Sequence, residues 1–348
     1  MKKQFVDKRS ICLENRKISA LLACIVLCMF CAFGTHVTVH AKASKVKTLY
    51  VKSGKLCDKK GKTIQLRGVS SHGMSWYPEY MNGKMIKELH SKWKANVIRL
   101  AIYTEEYNGY CSGDANNRKV LKKKIDECVT YATKYRMYVI IDWHILSDGN
   151  PNTHKKEAKK FFAEMAKKYR KHTNVIYEIC NEPNGGTDWN TIRSYAISII
   201  KTIRKHDKRA VILVGTPNWC QEVEQAADKP IPSKYKNIMY TMHFYADTHR
   251  QDYRDRLIRA REKKLPIFIS EFGICDASGS GAINKTEAKK WLTLLDKNKI
   301  SYVAWNLSNK SETSAMIKPE CSKVNKIAVK DLSPSGKWIY KHLRARAK

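Results

Sequence analysis

The sequence predicts an α/β protein whose single domain is a (β/α)8 barrel, and three observations indicate that fold. Without its first 41 residues the chain keeps roughly 300 residues, a common size for one large barrel domain. Eight short runs rich in β-branched residues alternate with helical stretches, which is typical of parallel βα units. Polar or aromatic side chains follow seven of the eight runs, where a barrel gathers its strand ends.

Residues 1–41 have the composition of a secretory signal peptide. Basic residues such as Lys2 precede an apolar run over residues 18–33, and Val39-His40-Ala41 offers small residues suited to cleavage. We therefore expect export, with the protein extracellular or held at the cell surface. The alternative is an uncleaved membrane anchor, although sixteen apolar residues fall short of the ~20 that span a bilayer. One catalytic domain is expected over residues 45–345, because no linker or repeat interrupts that stretch.

The chain has eleven cysteines, of which four lie in the predicted leader and seven beyond it. An odd, scattered set is a poor disulfide framework, and no pair has the spacing of a zinc site. We expect buried free thiols and no metal site, with one or two disulfides as the alternative. The seven cysteines are Cys57, Cys111, Cys128, Cys180, Cys220, Cys275 and Cys321.

The formal net charge of +34 is high, and most of it lies outside the leader. Such a field attracts anionic surfaces, which suggests nucleic acid as a partner. However, the lysines spread along helical stretches, as in residues 122–124 and 159–160, without an arginine and aromatic recognition motif. The pattern favours solvated helix faces and no nucleic-acid partner, and we expect a monomer. Electrostatic retention on an anionic cell wall is the alternative role for the charge.

The eight predicted strands share short runs of β-branched and other apolar residues. They are residues 64–69, 96–101, 137–142, 175–179, 210–214, 238–242, 266–270 and 301–304. Between them, residues 154–171 and 188–207 carry apolar side chains at i, i+3 and i+4 spacing, which predicts helices packed against a sheet. The stripes are Ala158, Phe161, Phe162, Met165, Ala166 and Tyr169, and Ile192, Ala196, Ile199, Ile200 and Ile203. Residues 49–51 and 55–57 predict a small hairpin at the bottom of the barrel.

The side chains at the carboxyl ends of the predicted strands suit one shared task. All strands of a parallel barrel point the same way, so these side chains converge on one mouth. A single histidine or tryptophan at a strand end is more often structural. Chance does not explain suitable side chains at seven strand ends that share one face of the barrel. In strand order the ends carry His72, Arg99, His144, Asn181 with Glu182, the turn 215–219, His243 with Tyr245, Glu271 and Trp305.

Two of these residues are glutamates on nearly opposite strands. Glu182 follows the fourth predicted strand and Glu271 the seventh, so their carboxyls can face each other across the mouth. Paired carboxyls flanking a bond are the equipment of glycoside hydrolysis, in which one donates a proton and the other attacks or activates water. The sequence shows no metal cluster, phosphate-binding glycine loop or cysteine nucleophile, so we expect a hydrolase without cofactor or metal.

Seven stretches in order carry a family resemblance over nearly all of residues 45–345. They are GVSSHGMSWY (68–77), NVIRLAIY (96–103), VIIDWHILSDGNPN (139–152), VIYEICNEPNG (175–185), YTMHFYADTH (240–249), PIFISEFG (266–273) and VAWNLSNKSETSA (303–315). On these motifs the chain resembles the glycoside hydrolase family 5 endoglucanases, bacterial β-1,4-glucanases with a (β/α)8 barrel. The resemblance implies that Glu182 is the acid/base, that Glu271 is the nucleophile, and that the reaction retains the anomeric configuration.

The roles that the resemblance implies require Glu271 to be ionised and Glu182 to be protonated. Retention places the two carboxyls about 5–5.5 Å apart. The guanidinium of Arg99 would keep Glu271 ionised, and Tyr245 would add a hydrogen bond. Burial and the charge of its partner would raise the pKa of Glu182, which then acts first as acid and afterwards as base.

The other predicted site residues bind substrate. Trp305 offers an apolar face for a pyranose ring, and Trp76 with Tyr103 forms a second platform toward the non-reducing end. Cys220 replaces a usual serine and Asn309 a common aspartate, which leaves the preferred glucan open. The set also includes His72, and His144 and His243, which orient hydroxyls and carboxyls. The resemblance implies that Asn181 bonds to the sugar 2-OH and that Lys310 with Glu312 makes polar contacts at the second platform.

The predicted function is that of a secreted, retaining endo-β-1,4-glucanase that cleaves cellulose-type glucans internally. An alternative keeps the mechanism but acts on mixed-linkage glucan, glucomannan or xylan, because tryptophan platforms bind any equatorial β-1,4 chain. A different class is a non-catalytic wall polysaccharide binder, which the basic charge favours. The intact pair of glutamates argues against a pure binder, which has no need of both.

Overall fold

A computed structural model describes residues 46–347, so the predicted leader, residues 1–41, lies outside the described residues. Across this described part, no helix is both long and apolar enough to span a bilayer. The strands are β1 (Tyr50–Lys52), β2 (Lys55–Cys57), β3 (Arg67–Gly73), β4 (Val97–Tyr103), β5 (Tyr138–His144), β6 (Val175–Glu178), β7 (Val211–Val214), β8 (Ile238–Tyr245), β9 (Ile267–Gly273) and β10 (Tyr302–Leu307). The α-helices are Gly83–Ser91, Ala115–Lys134, Lys155–Tyr169, Trp189–Arg204, Pro217–Cys220, Val223–Asp228, Gln251–Glu262, Lys285–Asn298 and Pro334–Ala345, and short 3₁₀ turns lie at Pro78–Tyr80 and Val329–Asp331.

Strands β3 to β10 form a closed barrel in which every strand pairs in parallel with the next, and β10 returns to β3. Strands β1 and β2 form a separate antiparallel hairpin. The predicted (β/α)8 barrel with an N-terminal hairpin is therefore confirmed.

All eight predicted barrel strands are present, but six of them end two to four residues later than predicted. Strand β3 ends at Gly73 rather than at residue 69, and β8 ends at Tyr245 rather than at residue 242. Backbone pairing continues past the apolar runs, since His243 still pairs with Glu271 between β8 and β9. Side chains expected just after the strands therefore belong to the last residues of the strands themselves. These are His72, His144, His243, Tyr245, Glu271 and Trp305, whereas Arg99 lies in the middle of β4.

Short polar side chains cap the start of five helices. The side chains of Asn82, Asp114, Asp188, Asn284 and Ser333 each accept a hydrogen bond from the backbone N–H three residues further on. A cap of this kind satisfies a donor that has no partner within the helix, and it stabilises the helix by about 1 kcal/mol. These residues fix where the outer helices begin, and thereby how long the loops at the mouth are.

Apolar side chains fill two regions of the barrel. The larger region lies between strands and helices, and it buries every predicted stripe residue of Lys155–Tyr169 and Trp189–Arg204. A second region lies inside the barrel at its bottom, where Leu49 and Leu56 pack with strand residues such as Val97. The hairpin thus closes the bottom, as predicted, and the opposite end holds the polar side chains.

Candidate active site

The two predicted catalytic glutamates lie together at the mouth of the barrel. Glu271 belongs to β9, and Glu182 lies in the loop after β6. One carboxylate oxygen of each and one ring nitrogen of His243 lie within 4.8 Å of one another. Both side chains are buried at the base of a cleft of about 440 Å³. The chain therefore brings two carboxyls, distant in sequence, into the separation that one glycosidic linkage can bridge.

Arg99 lies at the centre of the network beneath the cleft and is completely buried. Its Nη1 donates to Glu271 Oε2 at 3.0 Å, and its Nε donates to Glu178 Oε2 at 2.8 Å. The Nη2 group lies 3.1 Å from Asp142 Oδ2 and also donates to Asn181 Oδ1. The guanidinium therefore holds three carboxyl groups rather than the single one that the sequence suggested.

Glu271 and Glu182 each have a distinct set of hydrogen-bond partners. Tyr245 Oη donates to Glu271 Oε1 at 2.8 Å, so both oxygens of this carboxyl group are fixed, one by the phenol and one by Arg99. Glu182 Oε1 lies 2.8 Å from His243 Nδ1, and His243 Nε2 lies 2.8 Å from the hydroxyl of Ser270. One glutamate thus contacts a permanent cation, and the other contacts an imidazole.

Burial raises the pKa of both glutamates, and that of Glu182 more. Burial raises the pKa of Glu182 to about 8 against the opposing charge of Arg99. Burial, and then the charge of Glu182, raises the pKa of Glu271 to about 7, against contacts that favour its ionised form. Arg99 therefore lowers the pKa of Glu271 without outweighing its burial. Near neutral pH this order places the proton on Glu182 and the negative charge on Glu271.

Asn181 and His144 form a second buried group beside the glutamates. His144 Nδ1 lies 2.6 Å from Asp142 Oδ2, and its Nε2 lies 3.2 Å from Asn181 Nδ2. Asn181 Nδ2 also donates to the Ile145 carbonyl at 3.1 Å, and the whole side chain is buried. Burial lowers the pKa of His144 well below its usual range, so the ring is neutral. The predicted bond from Asn181 to a sugar 2-OH would need one of these amide contacts to be exchanged for substrate.

Aromatic side chains form one wall of the cleft. The Trp76 and Tyr103 rings lie 4.9 Å apart, and the His144 and Trp305 rings stack at 5.3 Å. Farther out, Lys310 Nζ lies 2.7 Å from Glu312 Oε2. Ten of the thirteen predicted site residues line the cleft, and Arg99, Asn181 and His243 lie beneath it. The ten are His72, Trp76, Tyr103, His144, Glu182, Tyr245, Glu271, Trp305, Lys310 and Glu312.

The structure adds cleft residues that sequence reasoning did not select. Trp219 is 43% exposed and lines the cleft, and Gln221, His249 and the segment 277–279 lie around it. The sequence predicts the turn 215–219 but not its backbone conformation. Asn218, Trp219 and Cys220 have positive φ values of 54°, 53° and 60°, a backbone conformation uncommon for residues other than glycine.

Asp142, Glu178 and Ser270 were also missed, because each lies within a run interpreted as barrel wall. All three are completely buried. A signal for two of them was present: a carboxylate inside an apolar strand is costly without a partner, which predicts a buried cation nearby.

The two departures from the family pattern lie outside the catalytic contacts. The Cys220 thiol donates to the carbonyl of Asn181 at 2.9 Å and lies 3.0 Å from Thr241 Oγ1, so it supports the loop as a hydroxyl would. Asn309 Nδ2 donates to the Cys321 carbonyl at 3.2 Å. The seven cysteines of the described residues are free thiols, and all but Cys111 are buried.

Within residues 46–347, one group has the spacing of a metal site, namely Glu182, His243 and Glu271. Both nitrogens of His243 and both oxygens of Glu271 already have hydrogen-bond partners. A permanent cation, Arg99, also lies 3.0 Å from Glu271. These atoms therefore suit proton transfer better than they suit a second positive charge.

The fold and the paired carboxyls define a barrel-type glycoside hydrolase, and comparison with known proteins agrees. The family model "Cellulase (glycosyl hydrolase family 5)" matches residues 57–311, and the chain belongs to that family. The predicted resemblance is therefore confirmed.

Relatives and solved structures place the chain among the endoglucanases of this family. Endoglucanase A of Butyrivibrio fibrisolvens is 49% identical over 292 residues, which cover 84% of this chain and 67% of that protein. An endoglucanase of Clostridium saccharobutylicum is 45% identical over 332 residues, which cover 94% of this chain and 72% of that protein. The solved catalytic domain of Thermobifida fusca endoglucanase Cel5A is 36% identical with a TM-score of 0.80, over 86% of this chain and 98% of that domain.

Proposed function

We propose that this enzyme hydrolyses internal β-1,4-glucosidic bonds of cellulose-type glucans by double displacement, with retention of the anomeric configuration. The observation that carries the proposal is the approach of Glu182 and Glu271, whose oxygens come within 4.8 Å. Retaining enzymes hold their carboxyls about 5–5.5 Å apart, whereas inverting enzymes separate them by roughly 6.5–9.5 Å to admit a water molecule.

In the first step, a carboxylate oxygen of Glu271 attacks the anomeric carbon, and the bond from that carbon to the glycosidic oxygen breaks. Glu182 transfers its proton to that oxygen, so the leaving chain departs with a neutral hydroxyl. Arg99 and Tyr245 hold the two oxygens of Glu271 and favour its charged form before the attack. The step leaves a glycosyl ester on Glu271 and a carboxylate on Glu182.

In the second step, water attacks the anomeric carbon and displaces Glu271. Glu182 accepts the proton of the attacking water, which is favourable because burial keeps the pKa of this carboxyl high. Each cycle therefore consumes one water and returns both glutamates to their starting states. Two inversions at one carbon give net retention.

The cleft suits a sugar chain of several units. Trp305, Trp76 and Tyr103 form one cluster of aromatic faces, on which the axial C–H groups of a pyranose ring can pack. Trp219 lines the same cleft outside that cluster, and its backbone N–H donates to the carbonyl of Pro183, the residue after Glu182. Its exposed indole is therefore suited to a further sugar, and two separate aromatic contacts favour a cut within a chain rather than at its end.

The choice of glucan follows from the relatives, several of which are named endoglucanases. Mixed-linkage glucan, glucomannan and xylan share the flat equatorial backbone that aromatic platforms bind, so these substrates form the comparison panel. Lys310 and Glu312, which line the cleft and pair with each other, are suited to bind the hydroxyls that differ among these glucans.

Export to the cell exterior belongs to the same proposal, and its support is the leader-like composition of residues 1–41. An insoluble polymer cannot enter a cell, so an enzyme of this class acts where its substrate lies. Retention on an anionic wall and a monomeric state remain predictions.

The deciding experiment is proton NMR of the product first released from defined cello-oligosaccharides. We expect the β-anomer, followed by slow mutarotation. First appearance of the α-anomer would contradict the close carboxyl pair. Reducing-sugar release from carboxymethylcellulose, mixed-linkage glucan, glucomannan and xylan then ranks the substrates, and higher activity on any of the last three would correct the proposed preference.

A further inference from the structure

A continuous hydrogen-bonded chain runs behind Glu182. Glu182 Oε1 lies 2.8 Å from His243 Nδ1, and His243 Nε2 lies 2.8 Å from Ser270 Oγ. The Ser270 hydroxyl lies 2.6 Å from Glu178 Oε1. The side chains of Ser270, His243 and Glu178 are fully or almost fully buried, so water does not compete for these bonds.

Arg99 sets the direction of the chain at its far end. Its Nε donates to Glu178 Oε2 at 2.8 Å, and its Nη2 donates to Glu178 Oε1 at 3.3 Å. Burial raises the pKa of Glu178, whereas a fork of two bonds from a permanent cation favours its ionised form, in which both oxygens accept hydrogen bonds. An ionised carboxylate only accepts hydrogen bonds, so Ser270 must donate to Glu178.

The positions of the remaining protons follow one by one. The single hydroxyl proton of Ser270 is used, so its oxygen accepts from His243, which requires the proton on Nε2. Burial lowers the pKa of His243 to about 4, so the ring is neutral and carries one N–H only. His243 Nδ1 therefore presents a lone pair, and Glu182 must supply the proton of their 2.8 Å bond.

We propose that Ser270 and Glu178 are positioning residues that fix the Nε2–H tautomer of His243 and so keep Glu182 protonated as the general acid. This inference rests on the proposed function. After the proton leaves, the Glu182 carboxylate faces the Nδ1 lone pair, an unfavourable pair of acceptors. That contact favours recapture of a proton from water in the second step.

The variant Ser270→Ala tests the proposal through its pH profile. Without the serine, His243 can place its proton on Nδ1 and donate to the Glu182 carboxylate, which lowers the pKa of Glu182. We expect the alkaline limb of kcat/KM to move down by about one pH unit, with KM within about twofold and activated aryl glycosides less affected. Charged or titratable groups facing His243 are Glu182, Glu178, Glu271, Arg99, His144 and His249.

A matched control and a direct measurement complete this test. Ser71→Ala removes the same atom from a buried serine on β3, where the hydroxyl accepts from the Ala101 N–H, and should leave the limb in place. Nitrogen-15 NMR of the unliganded wild type should show His243 protonated at Nε2, and Glu178→Gln should shift that proton toward Nδ1. A wild-type Nδ1–H ring, or an unmoved limb in Ser270→Ala, overturns the inference. Both measurements are independent of product stereochemistry, which tests the proposed function.

A different feature lies on the outer wall of the barrel. Helices Gln251–Glu262, Lys285–Asn298 and Pro334–Ala345 enclose a groove of about 1100 Å³, larger than the catalytic cleft of about 440 Å³. The two depressions share no lining residue. This surface, the helix groove, therefore belongs to a different part of the molecule.

Positive charge dominates the helix groove, and Asp255 is its one acidic lining residue. Among the residues that the structure describes, Arg254, Lys290 and Arg346 have carboxylate partners, whereas the other four basic side chains have no ion pair. The four are Lys285, Lys289, Lys297 and Lys341. Lys285 and Lys289 are four residues apart and Lys289 and Lys297 are eight apart, so the three lie along one helix face with a rise of roughly 6 Å and then roughly 12 Å between them.

The rest of the helix groove is apolar or carries hydroxyls. Ile258, Leu294 and Trp338 are half-buried and form its floor, and Thr286 and Thr293 add neutral hydrogen-bonding groups. Sugar rings use both kinds of contact, because their C–H faces pack on apolar surface and their hydroxyls bond to threonine. The free cations are lysines, which suit single carboxylates, whereas the arginines that would fork a phosphate are already paired.

We propose that the helix groove binds an acidic polysaccharide, a chain of sugars that carries carboxylates at intervals. Charge complementarity carries this choice. A second copy of this chain is disfavoured, because a net charge of +34 on each copy would repel it. The proposal does not depend on the catalytic one.

Binding of polygalacturonate to the catalytically active protein at physiological salt tests this surface. The variant Lys285→Gln/Lys289→Gln/Lys341→Gln should weaken binding at least tenfold, and Thr293→Glu should weaken it several-fold. Lys156→Gln/Lys159→Gln/Lys160→Gln removes the same charge from three exposed positions on Lys155–Tyr169 and should change binding less than twofold. Equal loss in the two triple variants would mean diffuse attraction, and tighter binding of duplex DNA at the same groove would identify another ligand; either overturns the proposal.

Discussion

The bottom and the mouth of the barrel are built from the same strands and have opposite chemistry. Strand β4 shows the change within seven residues. Val97 packs in the apolar cluster at the bottom, Arg99 is the buried cation in the middle, and Tyr103 belongs to the aromatic wall of the mouth. Side chains two apart in a strand share a face, so these residues point into the barrel one above another. Strand β5 repeats the pattern with Ile140 below Asp142.

The comparison shows that the apolar bottom stabilises the fold, whereas the charged mouth reduces its stability. The bottom layer needs no partners, because apolar side chains gain from burial alone. The next layer buries Arg99 with three carboxyls, and a charge without water must be paired or neutralised. The same burial that costs stability moves the pKa of Glu182 and Glu271 toward neutrality, where proton transfer is useful.

The largest effect on activity is expected from Glu271→Gln at the mouth. The amide keeps the shape of the side chain but cannot form the glycosyl ester, so kcat should fall by roughly four powers of ten or more. Binding of cellotetraose, measured by calorimetry, should change little. Activity within tenfold of wild type would mean that Glu271 is not the nucleophile.

A second prediction concerns the buried charge between the two ends. Arg99→Met leaves Asp142, Glu178 and Glu271 without their cation, and it should lower the free energy of unfolding by about 3–5 kcal/mol and abolish most activity. Urea unfolding and kcat are the measurements. The control is Arg254→Met, which removes an arginine of similar burial that pairs with Glu287 on the outer helices. It should cost stability and leave kcat near the wild-type value; a matching loss of kcat would refute the special role of Arg99.

Sequence alone revealed the barrel because alternation of apolar runs and helical stripes follows from local geometry. It also located Glu182 and Glu271, since strand ends of a parallel barrel share one mouth. It did not single out Asp142 and Glu178: their place inside apolar runs signals a buried cation, but only the fold shows that this cation is Arg99. Six strands extend further than predicted for a different reason: polar residues ended each apolar run, whereas backbone pairing continued through them.

The pH dependence of catalysis should distinguish the mouth from the bottom. Activity needs Glu271 ionised and Glu182 protonated, so kcat/KM should rise toward pH of about 7 and fall above about 8. Because both folded-state pKa values exceed the ordinary value of 4.5, the stabilisation from keeping these carboxyls neutral is present below pH 4.5. It is lost as pH rises through about 7 and 8. Urea unfolding between pH 5 and pH 9 measures it, and a flat profile in which Glu271→Gln behaves as wild type would contradict these shifts.

The smallest effect on activity is expected from Ile140→Ala, one step below the charged layer. Ile140 is completely buried in the bottom cluster, so its truncation leaves a cavity and should lower the free energy of unfolding by about 2–5 kcal/mol. Asp142, two residues further along the strand, contacts Arg99 and His144 in the charged layer above. A cavity at Ile140 should not move these contacts. We therefore expect kcat at 25 °C within twofold of wild type and an unchanged pH profile, measured on the same preparation used for urea unfolding. A shifted pH profile in this variant would show that the apolar bottom and the charged mouth are energetically coupled, because only a movement of the charged layer alters the pKa of Glu182 or Glu271.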